Sequence, residues 1–294
     1  VRVDQYHIQG RFAESYSILN LALELLGGSF PATEEQAGVA FVAEFARTEA
    51  LLAQQEPAQL LSAPEMTQLE HLLEMRIYFG LSYSSYQTGR FNAFVVNACR
   101  MVQATLRNGQ GDLSCIGYVA YVTAMSAAKR PYTLCFEMGK LALNLAERRE
   151  NRYFRMTVYQ YFSAFYQHWG EPLGDTLPYL DRGVELGQSG INPLAAGYCA
   201  LLGSVNRFVL GTPLDVLQLE CERGLKFLRQ SHQQNTANML NYGVLQPLMA
   251  LRGSASEGAS LPLRVRESSA NYLSAAEFFR GDYHSPSIPL ALHL

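Results

Sequence analysis

Residues able to do chemistry are thinly spread along this chain. His7, His71, His168, His232, His284 and His293 are scattered without ligand spacing, and no H-E-x-x-H motif places two of them on one helix face. The five cysteines, Cys99, Cys115, Cys135, Cys199 and Cys221, are odd in number and include no C-x-x-C pair, so they read as reduced core thiols. No phosphate loop occurs, since Gly139-Lys140 is followed by Leu141 in the middle of a predicted helix, and the nucleophile elbow G-x-S-x-G is absent. The charge run Glu147-Arg148-Arg149-Glu150-Asn151-Arg152 reads as a solvated helix terminus with local ion pairs. The expectation is a chain that is not itself an enzyme and holds no metal or cofactor.

One constellation suits binding instead. Helical spacing groups Arg76, Phe79, Tyr83 and Tyr86; Gly117, Ala120, Ala124 and Ala127; Val158, Tyr161, Phe165 and His168; and Cys199, Leu202, Asn206 and Val209. An almost side-chain-free patch then lies between two aromatic-rich walls, which would make a concave slot for a peptide, a helix or a small ligand. The candidate ligand- or partner-binding residues are Arg76, Phe79, Tyr83, Tyr86, Ala120, Ala124, Tyr161, Phe165, His168 and Asn206. The competing reading packs these aromatics between neighbouring helices, with the small residues serving close approach. A turn one residue longer or shorter would rotate a whole set by about 100°.

The elements that must position these residues follow from a fixed period. Gly89-Arg90-Phe91, Arg130-Pro131-Tyr132, Gly170-Glu171-Pro172-Leu173 and Gly211-Thr212-Pro213-Leu214 place a large apolar residue every 41 positions. Self-similarity on that scale marks a solenoid whose units bury their apolar faces against their neighbours. Each signal separates an A helix from a following B helix, and the B helices carry small residues such as Gly139, Gly183 and Gly224 at inward positions. The run Tyr153 to Trp169 is aromatic on nearly all sides, which calls for an extra cover over that helix.

Outside the regular block, Gly10-Arg11-Phe12-Ala13-Glu14 opens an earlier unit, and a degenerate unit is expected at about 30–67 with its turn near Gln54-Gln55-Glu56-Pro57. The helical-repeat array thus runs over 1–252. A flexible loop or insertion is expected at 253–264, and 265–294 is expected to hold a further, truncated repeat opened by Phe279-Arg280-Gly281-Asp282-Tyr283. The expected fold is all-α, a right-handed superhelix of about six or seven helix-turn-helix units.

At these residues a family resemblance enters. Gly10-Arg11-Phe12 with Ala22-Leu23, and Gly281-Asp282-Tyr283, resemble landmarks of tetratricopeptide repeats, although the units are longer. Asn108-Gly109-Gln110-Gly111-Asp112-Leu113 leading into Gly117-Tyr118-Val119-Ala120-Tyr121, with His168-Trp169-Gly170-Glu171-Pro172-Leu173 and Ala196-Gly197-Tyr198-Cys199, is similar to the helical-repeat region of large bacterial multidomain signalling proteins. Those proteins join a STAND or AAA-type ATPase to a kinase, sensor histidine kinase or cyclase output. The resemblance implies a protein-interaction or sensor module that regulates such a protein, with a protein or peptide, a neighbouring domain, a second copy or a small ligand as partner. A ligand-responsive oligomerising arm of a transcription activator is the alternative, and an enzyme on an all-α scaffold is the remote one.

Composition agrees with a folded chain that avoids polyanions. Hydrophobic residues make up 48% and charged residues only 17%, so many helix faces must be buried. A net charge of −3 supplies no broad basic field, so nucleic acid and membrane surfaces are not expected partners. With reduced thiols and no signal peptide visible, the expected location is the cytoplasm.

Overall fold

A computed structural model describes residues 2–8, 11–187 and 189–253, and all regular elements among them are helical. In chain order they are α1 (Arg2–Ile8), α2 (Phe12–Leu25), α3 (Glu34–Leu52), α4 (Pro57–Ser62), α5 (Leu69–Gln87), α6 (Phe91–Asn108), α7 (Ser114–Ala127), α8 (Tyr132–Arg148) and α9 (Arg152–Phe165). Then come α10 (Leu177–Gly187), α11 (Pro193–Val209), α12 (Leu214–Gln230), α13 (Gln234–Leu240) and α14 (Gln246–Leu251). Gly10, most of the expected loop at 253–264 and the expected repeat at 265–294 lie outside the described residues. The described residues form two compact units that divide between Val158 and Tyr159, within α9.

The 41-residue signals are helix starts. Phe91, Tyr132 and Leu214 open α6, α8 and α12, and Leu173 opens a short 3-10 turn that leads into α10. Three of the preceding helices end alike. In α5, α7 and α11 a residue of left-handed backbone, Gly89 at φ +70°, Lys129 at +55° or Gly211 at +77°, closes the helix. The next amide then reaches back to a carbonyl five residues earlier: Arg90 to Ser85 at 2.8 Å, Arg130 to Met125 at 2.9 Å and Thr212 to Arg207 at 3.0 Å. Lys129 has a side chain where glycine is preferred. Lys129→Gly is therefore expected to raise unfolding free energy by about 0.5–1 kcal/mol in urea titrations, and an unchanged or lower stability would contradict the strain.

The first unit departs from a simple run of A and B helices. α5, α6, α7 and α8 pack each on the next, and α2 packs on α5. The expected degenerate unit does not continue this alternation, because α3 lies along α6. The contacts keep step in parallel: the Glu34 carboxylate accepts from the Asn92 and Ala93 amides at the start of α6, while Glu44 and Thr48 meet Arg100 and Gln103 farther along. Phe45 of α3 stacks on Tyr121 of α7, ring centroids 5.6 Å apart. Gripped by α3, α5 and α7, α6 is buried all round from Ala93 to Cys99 and from Met101 to Thr105. The sequence expectation put the fully covered helix at α9, but there Tyr153 and Arg152 remain exposed.

After α3 the chain crosses the C-terminal ends of α6 and α8. Met66 donates its amide to the Gln110 carbonyl at 2.7 Å and Gln110 donates to the Pro64 carbonyl at 2.7 Å. Arg148 Nη1 donates to the Leu61 carbonyl at 3.0 Å, and Arg149 pairs with Glu65 at 2.7 Å. Residues 60–66 thus form a strap held by these backbone hydrogen bonds together with side-chain hydrogen bonds from Gln110, Arg148 and Arg149.

In the second unit α10, α11, α12 and α13 pack each on the next, and α11, α12 and α13 enclose Leu201, Leu217, Cys221, Leu225, Leu228 and Leu240. Asn192 caps α11 by accepting the Ala195 amide at 3.2 Å, with Pro193 at the first helical position where its missing N–H costs nothing. A π-helical turn at Asn241–Leu245 precedes Pro247. A proline ring crowds the carbonyl four residues back, here that of Gly243, and the wider turn relieves it. No helix among the described residues is long and apolar enough to cross a membrane.

Candidate functional site

A charged concavity lies in the first unit. A cleft of about 200 Å³ is lined by Ser29 from the α2–α3 loop, Glu44 and Arg47 from α3, Tyr78 from α5, and Arg100, Gln103 and Arg107 from α6. Spacing explains the convergence: Arg100, Gln103 and Arg107 share one face of α6, and Glu44 and Arg47 share one face of α3. The parallel docking of α3 on α6 brings the two faces together.

Part of this cleft is rigid. Arg100 Nε donates to Glu44 Oε1 at 2.9 Å, its Nη1 donates to the Ser29 carbonyl at 2.5 Å, and its guanidinium lies over the Phe30 ring at 5.2 Å. Gln103, 2% exposed, donates to Glu44 Oε2 at 2.9 Å and to Thr48 Oγ1 at 3.0 Å. Both Glu44 oxygens are thereby engaged and Arg100 is fixed. Behind them the Tyr78 hydroxyl donates to Glu74 at 3.0 Å, and burial with the Glu74 charge pushes its pKa well above the usual phenol value. Arg47 and Arg107 are exposed and form no hydrogen bond or ion pair with another described residue. A cleft of about 400 Å³ in the second unit is lined by Glu222, Leu225, Lys226, Arg229, Gln230, Asn241 and Leu245, but all its charges stand on α12.

The residues expected on the concave wall are distributed otherwise. Ala120 and Ala124 are 4% and 0% exposed, so they do not floor an open slot. Phe79 meets Phe154 edge to face at 5.6 Å, joining α5 to the start of α9. A Cβ on Gly117 would stand 2.9 Å from the Met101 Cβ, so the small face of α7 serves close approach of α6. Tyr83 packs on His7 and Phe12 at 4.8 and 5.8 Å, burial pushing its pKa up to about 12, and Tyr86 lies 6.0 Å from Phe94. Arg76 is exposed on α5.

The others belong to the second unit. Tyr161 and Phe165 pair edge to face at 5.9 Å, His168 lies 6.0 Å from Trp169 with its pKa lowered by desolvation, and Asn206 donates to the buried Thr176 hydroxyl at 2.8 Å.

A one-residue register difference explains the mixed first set. Phe91 follows its left-handed residue by two positions, whereas Tyr132 and Leu214 follow theirs by three, because Pro131 and Pro213 are inserted. Counted from the left-handed residue, the counterparts of Gly117, Ala120 and Ala124 in α5 are Ile77, Gly80 and Ser84. Gly80 and Ser84 are buried too. The missing proline in the first turn was the available signal.

No family model, curated protein or solved structure matches this chain. His7 Nε2 lies 2.8 Å from Ser15 Oγ and 3.1 Å from Ser84 Oγ, a serine–histidine contact that sequence spacing did not reveal. Both serines are 0% exposed, so the cluster ties α1 to α2 and α5. All five cysteines are free and buried, and burial pushes the Cys99, Cys115 and Cys199 thiols up to about 12, far from a reactive thiolate. Among the described residues no group of three or more His, Cys, Asp or Glu side chains is placed to hold a metal.

Proposed function

We propose that this chain is a non-catalytic helical-repeat module, a tetratricopeptide-like right-handed α-solenoid of about six or seven units, that docks a protein or peptide and regulates a larger cytoplasmic signalling ATPase or kinase. The observation that carries the reading is the recurrence of helix starts at Phe91, Tyr132, Leu173 and Leu214, one period apart. Repetition of one hairpin suits an extended binding surface better than a single reaction centre. Leu134 in the first unit and Val216 in the second, each two residues into a B helix, are 54% and 44% exposed, and each offers a partner an apolar side chain to grip. Binding would act by favouring one relative orientation of hairpins, which requires differential affinity for two arrangements.

Photo-crosslinkers at Leu134 and Val216 test this in the source cell. The expected result is a crosslinked adduct, identified by mass spectrometry, with an ATPase or kinase polypeptide or with such modules of its own parent chain. Adducts confined to second copies of the chain would favour the oligomerising arm of a transcription activator and overturn the reading.

A further inference from the structure

We infer that the arginine cleft on α3, α5 and α6 is a binding site for a phosphate monoester, an assignment that goes beyond the docking role above and does not depend on it. Three guanidiniums face one carboxylate across the lining, within a chain whose overall charge is −3. The excess is local, and it comes from two helices remote in sequence. The single carboxylate, Glu44, has one oxygen taken by Arg100 and the other by Gln103, so it acts as a clamp on Arg100. Arg47 and Arg107 have no such partner among the described residues and stand exposed at the same cleft.

Like charges held close together repel, and the arrangement is relieved when an anion enters between them. Arginine forks suit the tetrahedral oxygens of phosphate, which accept paired N–H donors. A dianion matches the local excess, whereas a carboxylate would leave one positive charge uncompensated. Size narrows the ligand further. About 200 Å³ lies below the roughly 300–1,000 Å³ of pockets that enclose whole small molecules, so the cleft suits a phosphate group and leaves its carrier outside. The carrier is then a phosphorylated side chain of a partner or a small phosphorylated metabolite.

Isothermal titration of the 294-residue chain with phenyl phosphate and with a phosphoserine peptide tests the site. Both probes are expected to bind saturably and more weakly as salt rises, and Arg47→Gln and Arg107→Gln are each expected to weaken binding about tenfold. Arg223→Gln, an exposed arginine on α12, should leave affinity within about twofold. Because Arg47 and Arg107 support no other described residue, these variants should keep the parent's circular dichroism and urea midpoint. Tighter binding of the peptide identifies a modified partner as the source, and equal binding identifies a metabolite; either supports the site. Absence of saturable binding, equal affinity for acetate, or indifference to Arg47→Gln and Arg107→Gln would overturn it.

Discussion

Gly109→Ala is expected to destabilise the first unit by about 3–5 kcal/mol, among the largest single-residue effects available in this chain. Gly109 ends α6 at φ +94° and ψ −178°, a conformation that residues with a Cβ scarcely populate. The site is also closed. An added Cβ would stand 2.5 Å from the Pro64 carbonyl oxygen and 3.2 Å from backbone atoms of Glu65 and Met66. Those atoms belong to the strap that exchanges backbone hydrogen bonds with Gln110, so the methyl group cannot be accommodated by turning a side chain.

Gly211→Ala separates the two causes. Its φ is +77° but nothing lies within 4 Å of the added Cβ, so only about 1 kcal/mol of backbone strain is expected. Urea unfolding of both variants measures the difference, and amide exchange of residues 60–66 should accelerate in Gly109→Ala alone. Equal losses in the two variants would refute the close packing of the strap.

Tyr121→Ala is expected to cost about 3–5 kcal/mol in urea or thermal unfolding, because truncating a buried aromatic loses its transfer free energy and leaves a cavity. Tyr121 is 1% exposed and stacks on Phe45, which places it where α7 meets α3. Above the same Phe45 ring the Arg130 guanidinium sits at 5.4 Å and forks onto the Glu49 carboxylate, with Nε at 2.7 Å and Nη2 at 2.5 Å. That ion pair is exposed and solvent-screened, so Arg130→Ala is expected to cost far less than Tyr121→Ala. A comparable loss from the two would mean that α3 is held at its rim and not by its aromatic contact. Phe45→Ala combined with Tyr121→Ala should cost less than the sum of the single changes, since both remove one stacking contact.

These two sites also mark the boundary of what could be read from residues alone. The helix starts at Tyr132 and Leu214 were legible because a turn written as Lys or Gly, a linking residue and Pro leaves few other backbone solutions, and the start at Phe91 because Gly89 marks the same helix end one period earlier. The buried state of the cysteines was legible for a similar reason, since apolar neighbours at helical spacing accompany each of them. The set expected in α5 lies one residue out of register with that in α7 because the first turn lacks the proline, and a shift of about 100° moves every side chain to another face. Nothing in the neighbours of Gly109 announced that residues 64–66 would arrive against it.

The arginine cleft shows the same division. The spacing of Arg100, Gln103 and Arg107 along one helix face, and of Glu44 and Arg47 along another, is written in the chain. That the two faces meet was not, because α3 reads as one more unit in series and instead lies parallel along α6. Local sequence by itself determined the helical class, the hairpin period and the chemistry of the turns, since each depends on interactions within a few residues. Only the tertiary structure decided which helix α3 covers, that the small face of α7 is filled, and where uncompensated charge gathers. Those outcomes depend on contacts between segments tens of residues apart, whose pairing is selected by the burial of the whole unit and not by any one segment's pattern.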